Sequence, residues 1–155
     1  MNIDNLYNLV KSIVEKANEL KNKYTDQYEA KVNYACIFCK NDKDFNNYIE
    51  LLKNSGSIIV SDTYSGPLFK LEGIDTIAGR LKLLKIRKPD DKHLDLGDAD
   101  FTVSNYDIFK GKYLNKPNFK LINGNGYEMI ELMVNEYDVR CYFSNIPIDQ
   151  ELNIK

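Results

Sequence analysis

Apolar positions at the start of the chain recur at helical spacing, before the pattern changes to short strands and turns. Residues 4–23 carry a single apolar stripe formed by Leu6, Leu9, Val10, Ile13, Val14, Ala17 and Leu20. Asp4 is a suitable N-cap. We therefore predict an amphipathic N-terminal helix, which either docks on the rest of the fold or presents its apolar stripe to a partner protein.

The next part of the chain reads as strand, helix and three further strands. Residues 32–39 predict a strand, and Asp42 caps a predicted helix over residues 43–54. Gly56 suits the left-handed position that ends a helix. The three strands that follow are predicted at residues 57–61, 68–71 and 79–87, before a charged loop over residues 88–97.

The remaining chain repeats this order of elements. A strand over residues 99–103 precedes Ser104 and Asp107, which resemble a capping box for a helix ending near Leu114. Three strands are predicted at residues 119–122, 127–133 and 139–144, the first two joined by the hairpin turn Asn123-Gly124-Asn125-Gly126. A repeated order of this kind indicates a duplicated unit.

The pattern therefore predicts an α+β fold built from two similar strand-helix-three-strand units. The units, residues 32–87 and 99–144, are expected to form a cup-shaped mixed sheet, and the N-terminal helix within residues 1–28 precedes them. A length of 155 residues is typical of a single domain, which we place over residues 1–155.

Charge and apolar content narrow the classes of function. Lys and Arg number 21 against 23 Asp and Glu, for a net charge of -2 and an isoelectric point near 5.5. This balance argues against nucleic acid as the main partner, and the basic stretch over residues 80–88 places its charges on both faces of one strand. No apolar run approaches the ~20 residues of a membrane helix, and the first residues do not resemble a secretory signal. We expect a cytoplasmic protein that does not bind membranes.

Three cysteines and one histidine are the candidate soft metal ligands. The ligand types of a zinc site are matched by the set Cys36, Cys39, Cys141 and His93. However, Cys36 and Cys39 lie in a predicted strand, where residues three apart point to opposite faces. The cysteines are therefore expected to be small buried apolar side chains, and His93 is expected to be a solvated loop residue.

Strand alternation predicts which side chains face the inside of the cup. The charged and phenolic candidates on this face are Tyr34, Lys85, Arg87, Asp98, Asp100, Glu131, Arg140 and Tyr142. One interpretation is that they form ion pairs on a solvated face, each worth about 0–1 kcal/mol. The other is that they bind a polar small molecule, with which a lysine and a carboxylate can exchange a proton.

The order of elements resembles the vicinal-oxygen-chelate superfamily, which includes glyoxalase and extradiol dioxygenases. The segments that carry the resemblance are Asn33-Tyr34-Ala35-Cys36-Ile37, Phe69-Lys70-Leu71, Leu83-Leu84-Lys85-Ile86-Arg87-Lys88-Pro89, Gly97-Asp98-Ala99-Asp100-Phe101-Thr102-Val103 and Val139-Arg140-Cys141-Tyr142-Phe143. The resemblance implies that each half of the sheet lines a cup. It also implies metal-ligand positions near Tyr34, Lys85, Asp100 and Ser144, of which Asp100 alone is a ready ligand.

The resemblance therefore favours a glyoxalase-like fold whose usual metal ligands are missing. The leading expectation is a binding or accessory protein for a polar small molecule, with no cofactor and without enzymatic activity. The alternative is a metal-dependent lyase, isomerase or dioxygenase with unusual carboxylate ligands. A third hypothesis is a protein–protein interaction module that uses the N-terminal helix. Members of the superfamily commonly pair, so the resemblance also implies a homodimer.

Overall fold

A mixed sheet carries helices on one of its faces in the computed structural model, which describes residues 1–124 and 127–144. The helices of the described residues are α1 (Ile3–Tyr24), α2 (Asp42–Asn54) and α3 (Tyr106–Tyr113). The strands are β1 (Lys31–Phe38), β2 (Ile58–Thr63), β3 (Gly66–Thr76), β4 (Gly79–Arg87), β5 (Gly97–Thr102), β6 (Phe119–Gly124), β7 (Tyr127–Leu132) and β8 (Val139–Ser144).

The sheet consists of two units with the same connectivity. Its strand order is β2-β3-β4-β1-β5-β8-β7-β6, so each unit contributes one half. The first strand of each unit pairs parallel with the last strand of that unit, as β1 does with β4 and β5 with β8. The two first strands, β1 and β5, pair antiparallel and join the halves. This arrangement confirms the predicted α+β fold of two strand-helix-three-strand units behind an N-terminal helix.

Helix α1 is part of the core, since its apolar stripe is covered by the sheet. Leu6, Val10, Ile13 and Leu20 are fully buried, and the helix packs across β1, β3, β5 and β8, which come from both units. The apolar stripe is therefore not available to a partner protein, contrary to the hypothesis of a helix-mediated interaction module. Among residues 1–124 and 127–144, no helix combines the length and apolarity needed to cross a membrane.

Each helix begins at an asparagine rather than at the residue predicted as its cap. Asn2 caps α1 in a reciprocal box with Asn5, where Asp4 was expected. The N-cap of α2 is Asn41 and not the predicted Asp42, and the N-cap of α3 is Asn105 and not the predicted Ser104. Asparagine and aspartate cap equally well, so composition alone does not separate neighbouring candidates. The hairpin between β6 and β7 is confirmed, although Asn125 and Gly126 of its predicted turn lie outside the described residues.

The apolar core lies between the helices and one face of the sheet. Phe109 of α3 contacts Phe143 of β8, with ring centroids 4.5 Å apart, and Phe143 in turn contacts Phe101 of β5. Ala99 and Cys141 join the same core. These positions alternate along β5 and β8 as predicted, and so the intervening side chains occupy the opposite face of the sheet.

Candidate functional site

The face of the sheet opposite the helices carries a row of ionisable side chains across its four central strands. Lys85 on β4 lies opposite Cys36 on β1, Cys36 lies opposite Asp98 on β5, and Asp98 lies opposite Arg140 on β8. Directly opposed residues point to the same face of a sheet. These four side chains, which we name the Asp98 row, therefore lie side by side on the predicted cup face.

A second row lies parallel to the first. Tyr34 lies opposite Asp100, Asp100 opposite Tyr142, and Tyr142 opposite Glu131 on β7. The Tyr142 hydroxyl donates a hydrogen bond to Glu131 Oε2 at 2.7 Å. We name these residues the Asp100 row. Strand alternation therefore placed the polar candidates of β1, β5, β7 and β8 on the correct face.

Asp100 is fully buried, and its carboxylate accepts hydrogen bonds at both oxygens. Asn33 Nδ2 donates to Oδ1 at 3.0 Å, and Ser144 Oγ donates to Oδ2 at 2.6 Å. The register between β1 and β5 shifts between Val32 and Tyr34. This irregularity allows Asn33 to reach Asp100, although the adjacent residue Tyr34 lies beside Asp100 as well. Asn33 was not among the candidates predicted from strand alternation.

Asp98 differs from Asp100 because one of its buried oxygens has no partner. The residue is 6% exposed, and Asp98 Oδ1 makes no hydrogen bond in the described part of the chain. Burial raises the pKa of Asp98 well above its usual range, and the neighbouring Asp100 adds to this rise. The cations of Lys85, Arg140 and Arg87 oppose it. Burial therefore shifts Asp98 towards its neutral form, in which the carboxyl group is a hydrogen-bond donor as well as an acceptor.

Lys85 is a partly buried cation that is held by hydroxyl groups. Its Nζ donates to Ser65 Oγ at 2.7 Å and to Thr63 Oγ1 at 3.5 Å, and it forms no ion pair with any described residue. Burial lowers the pKa of Lys85, although the neighbouring Cys36 and Asp98 act in the opposite direction. Ser65 reaches Lys85 because Gly66 lies against β4, where an added Cβ would be 1.9 Å from the Ile86 carbonyl oxygen.

Arg140, at the other end of the Asp98 row, is fully paired. Its guanidinium binds both carboxylate oxygens of Asp95 at 2.8 and 2.9 Å, and it donates to the Lys92 carbonyl at 2.7 Å. Glu131 Oε2 lies 3.4 Å from Nη1, and the ring of Phe38 lies beneath the guanidinium. These partners leave Arg140 in a structural role, in contrast to Lys85.

Arg87 and His93 connect the cup face to the loop over residues 88–96. Arg87 Nε pairs with Asp90 at 3.1 Å, and His93 Nδ1 lies 2.8 Å from the same carboxylate. The His93 ring also packs edge-on against Phe38, at a centroid distance of 4.9 Å. The prediction that His93 is solvated was therefore wrong, because its side chain is only 18% exposed.

The positions implied by the superfamily resemblance converge only in part, and they do not fit a divalent metal ion. Tyr34, Asp100 and Ser144 meet in and beside the Asp100 row, whereas Lys85 lies in the Asp98 row. Asp100 already accepts a hydrogen bond at each oxygen. The residues described in the structure contain no group of three or more His, Cys, Asp or Glu arranged to hold a metal. All three cysteines are buried thiols, and burial raises the pKa of Cys36 well above its usual range.

A groove elsewhere on the surface is lined by none of the residues of the Asp98 row. Its volume is about 520 Å³, and it lies between the α1–β1 loop and the β5–α3 loop. Tyr28, Glu29, Lys31 and Ser104 are among its lining residues. The groove lies at the end of β5 beyond Asp100, so it is a separate location from the Asp98 row.

Comparison with known proteins shows similarity in fold alone. No protein-family model matches the chain, and no curated protein matches it. A solved structure described as structural-genomics protein EC4020 aligns with a TM-score of 0.71 and 9% identity, over 93% of this chain and 87% of that chain. A glyoxalase/bleomycin resistance protein/dioxygenase superfamily member from Vibrio splendidus 12B01 aligns with a TM-score of 0.49 and 7% identity, over 74% of this chain and 97% of that chain.

Proposed function

We propose that this chain is a divergent vicinal-oxygen-chelate protein that binds a polar small molecule at the Asp98 row without a metal ion. The paired units and their strand order support the superfamily assignment. The residues of the Asp98 row support the binding function. Arg87, Glu131, Tyr142 and the Asp100 row form its polar surroundings in this proposal.

The observation that carries the proposal is the unpaired Asp98 Oδ1. A buried polar atom without a partner costs about 1–3 kcal/mol, and such an atom is uncommon in a native fold. Asn33 Oδ1, close to Asp100, is a second buried atom without a partner in the described residues. Two unpaired acceptors on one face favour a ligand with hydrogen-bond donors, for which Asp98 is the central contact.

Lys85 supplies the complementary half of the proposed site. Its ammonium group is partly exposed and its present partners are neutral hydroxyls. An ammonium group bonds more strongly to an anionic oxygen than to a neutral one. The proposed ligand therefore places a carboxylate or similar oxygen at Lys85 and a hydroxyl or amide donor at Asp98.

Two matched probes test this proposal, namely glycolate, which has a carboxylate and a hydroxyl, and propionate, which lacks the hydroxyl. We expect glycolate to bind in the presence of a chelator, with an affinity at least about fivefold above that of propionate, since one lost hydrogen bond costs about 1 kcal/mol. Ligand-observed NMR of the full chain measures both. Equal or absent binding of the two probes contradicts the proposal.

Two lysine variants and a metal titration complete the test. Lys85→Met is expected to abolish glycolate binding, whereas Lys82→Met, a change at an exposed lysine on the same strand, leaves it unchanged. Stoichiometric retention of Mn²⁺, Fe²⁺, Ni²⁺ or Zn²⁺ by the purified chain would instead favour the metal-dependent lyase, isomerase or dioxygenase.

We also propose that two copies of the chain associate through the outer strand β2. This edge strand exposes Ile58 and Ile59, which are 59% and 39% exposed. The first three residues of β2, Ile58, Ile59 and Val60, are all β-branched and include neither proline nor a charge, which suits this part of the edge to pairing with another strand. Light scattering is expected to show a dimer that Ile58→Lys dissociates, and a monomeric parent chain contradicts this.

A further inference from the structure

The groove between the α1–β1 loop and the β5–α3 loop combines an exposed aromatic ring with hydrogen-bonding side chains. Tyr28 and Glu29 line it from the first loop, and Thr102 and Ser104 line it from the end of β5 and the loop that follows. The Tyr28 side chain is mostly exposed. A volume of about 520 Å³ lies within the range of about 300–1,000 Å³ that is typical of small-ligand sites. The groove can therefore admit a small molecule that has both an apolar face and polar groups.

The polar side chains of the groove include both donors and acceptors. Thr102 Oγ1 accepts a hydrogen bond from Asn33 Nδ2 at 3.1 Å, so its own proton remains available as a donor. The exposed Glu29 and Ser104 side chains form no hydrogen bond with any described residue. A carboxylate accepts at two oxygens, and a hydroxyl both donates and accepts. The two walls of the groove are therefore complementary to a ligand with several hydroxyl groups.

The charges around the groove are balanced. The Asp26 carboxylate accepts a hydrogen bond from Lys112 Nζ at 2.5 Å. Glu29 lies within the electrostatic influence of the buried Lys21 side chain. The stem of Lys31 lies against the start of β4, the strand on the other side of β1 from β5. This balance favours a neutral ligand over an anion or a cation.

The α1–β1 loop is held in place by the protein itself. Lys21 is fully buried, and its Nζ donates to the Gln27 carbonyl. Thr25 Oγ1 accepts from the Gln27 backbone N–H at 3.1 Å, and the Tyr113 hydroxyl accepts from the Asp26 backbone N–H at 2.8 Å. Lysine is rarely fully buried, and here it fixes one wall of the groove. A wall that is already ordered loses little conformational entropy when a ligand binds.

We propose that this groove binds a neutral saccharide. A sugar ring has a face of C–H groups, which packs against the Tyr28 ring. It also has a rim of hydroxyls, which donate to Glu29 and accept from Thr102 and Ser104. This site is separate from the Asp98 row and does not depend on the function proposed there.

Titration of the full chain with cellobiose and with maltose, followed by backbone NMR, tests the proposal. We expect at least one disaccharide to shift the amide signals of Tyr28, Glu29 and Ser104, and to leave those of Lys85 and Asp98 unchanged. Choline and inorganic phosphate are the charged probes, and neither is expected to shift the groove signals at the same concentration. The proposal is overturned if neither disaccharide binds, if the shifts centre elsewhere, or if a charged probe binds the groove more tightly.

Variants of the aromatic ring and of the carboxylate identify the contacts. Tyr28→Ala is expected to weaken disaccharide binding at least about fivefold, whereas Tyr28→Phe retains the ring and should retain the binding. Tyr64→Ala is the matched control, because Tyr64 is an exposed tyrosine in the turn between β2 and β3. Glu29→Gln should also weaken binding at least about fivefold. Circular dichroism verifies folding, and unchanged affinity in folded Tyr28→Ala or Glu29→Gln overturns the proposal.

Glycolate separates this inference from the function proposed for the Asp98 row. A disaccharide that binds the groove of a chain that does not bind glycolate overturns only the function of the Asp98 row. Glycolate binding at the Asp98 row without disaccharide binding overturns only the saccharide site. Absence of both overturns both proposals.

Discussion

Cys36 and Asp98 lie directly opposite each other on β1 and β5, the two strands that join the repeated units. Cys36 pairs in turn with Lys85 on β4, and Asp98 pairs with Arg140 on β8. Lys85 and Arg140 therefore occupy equivalent positions in the two units. Their environments differ, since Arg140 is held by carboxylates and Lys85 by hydroxyls. We attribute a structural role to Arg140 and a binding role to Lys85 on the basis of this asymmetry.

Replacement of Arg140 tests its structural role. Arg140→Met leaves the mostly buried Asp95 and Glu131 without their cation. We expect the free energy of unfolding to fall by about 3–5 kcal/mol, as is typical of a broken buried pair. Arg80→Met is the matched control, because Arg80 and Asp75 form an exposed pair expected to contribute about 0–1 kcal/mol. Urea unfolding that shows equal losses for the two variants contradicts the assigned role.

The two neighbouring aspartates are expected to respond in opposite directions to replacement by asparagine. The raised pKa of Asp98 means that the folded chain binds more protons than the unfolded chain, so stability falls as pH rises from about 4 through the folded pKa. Asp98→Asn removes this titration and should raise the melting temperature at pH 7, with a gain that shrinks towards pH 4.

Asp100→Asn is the matched comparison in the same thermal melts. It disturbs the hydrogen bonds that Asn33 and Ser144 donate to the buried Asp100 carboxyl group, and a typical hydrogen bond contributes about 0.5–1.5 kcal/mol. We expect a lower melting temperature at pH 7. If Asp98→Asn lowered the melting temperature as much as Asp100→Asn does, the Asp98 carboxylate would be stabilised in the fold, contrary to this prediction.

Helix α1 is predicted to be indispensable for folding. Leu20→Ala removes a fully buried side chain and should cost about 2–5 kcal/mol, whereas Glu15→Ala on the exposed side of the helix should change stability by less than about 0.5 kcal/mol. Deletion of residues 1–28 should abolish cooperative unfolding. A folded, monomeric remainder would restore the interpretation of the helix as a separate interaction element.

Gly66 is predicted to control the position of Ser65 beside Lys85. At Gly66 the backbone φ is 136°, and an added Cβ would overlap the Ile86 carbonyl oxygen. Gly66→Ala should therefore destabilise the fold by more than about 1 kcal/mol. Gly111→Ala is the control, because nothing lies within 4 Å of the added Cβ and alanine favours a helix by about 0.5–1 kcal/mol. Chemical denaturation compares the two, and a neutral Gly66→Ala contradicts the argument.

The order of elements and the sheet faces could be predicted from the sequence because they depend on local periodicity. Alternation along β5 and β8 placed Asp98, Asp100, Arg140 and Tyr142 together on one face, opposite the core. The position of Asn33 could not be predicted, since the register shift in β1 arises from pairing with a strand distant in sequence.

The different roles of Lys85 and Arg140 also could not be predicted from the sequence. Arg140 depends on Asp95, and Lys85 depends on Ser65, and both partners come from loops whose course over the sheet is set by tertiary contacts. His93 was misjudged for the same reason, because a polar loop sequence does not reveal packing against Phe38.

The most direct test of the account is to map the binding site of glycolate by backbone NMR of the full chain in the presence of a chelator. We predict that the largest chemical-shift changes occur at Cys36, Lys85 and Asp98, and that Lys85→Met abolishes them. Changes centred on Tyr28 and Ser104, in the groove beyond the end of β5, or no changes at all, would contradict the assignment of the Asp98 row as the binding site.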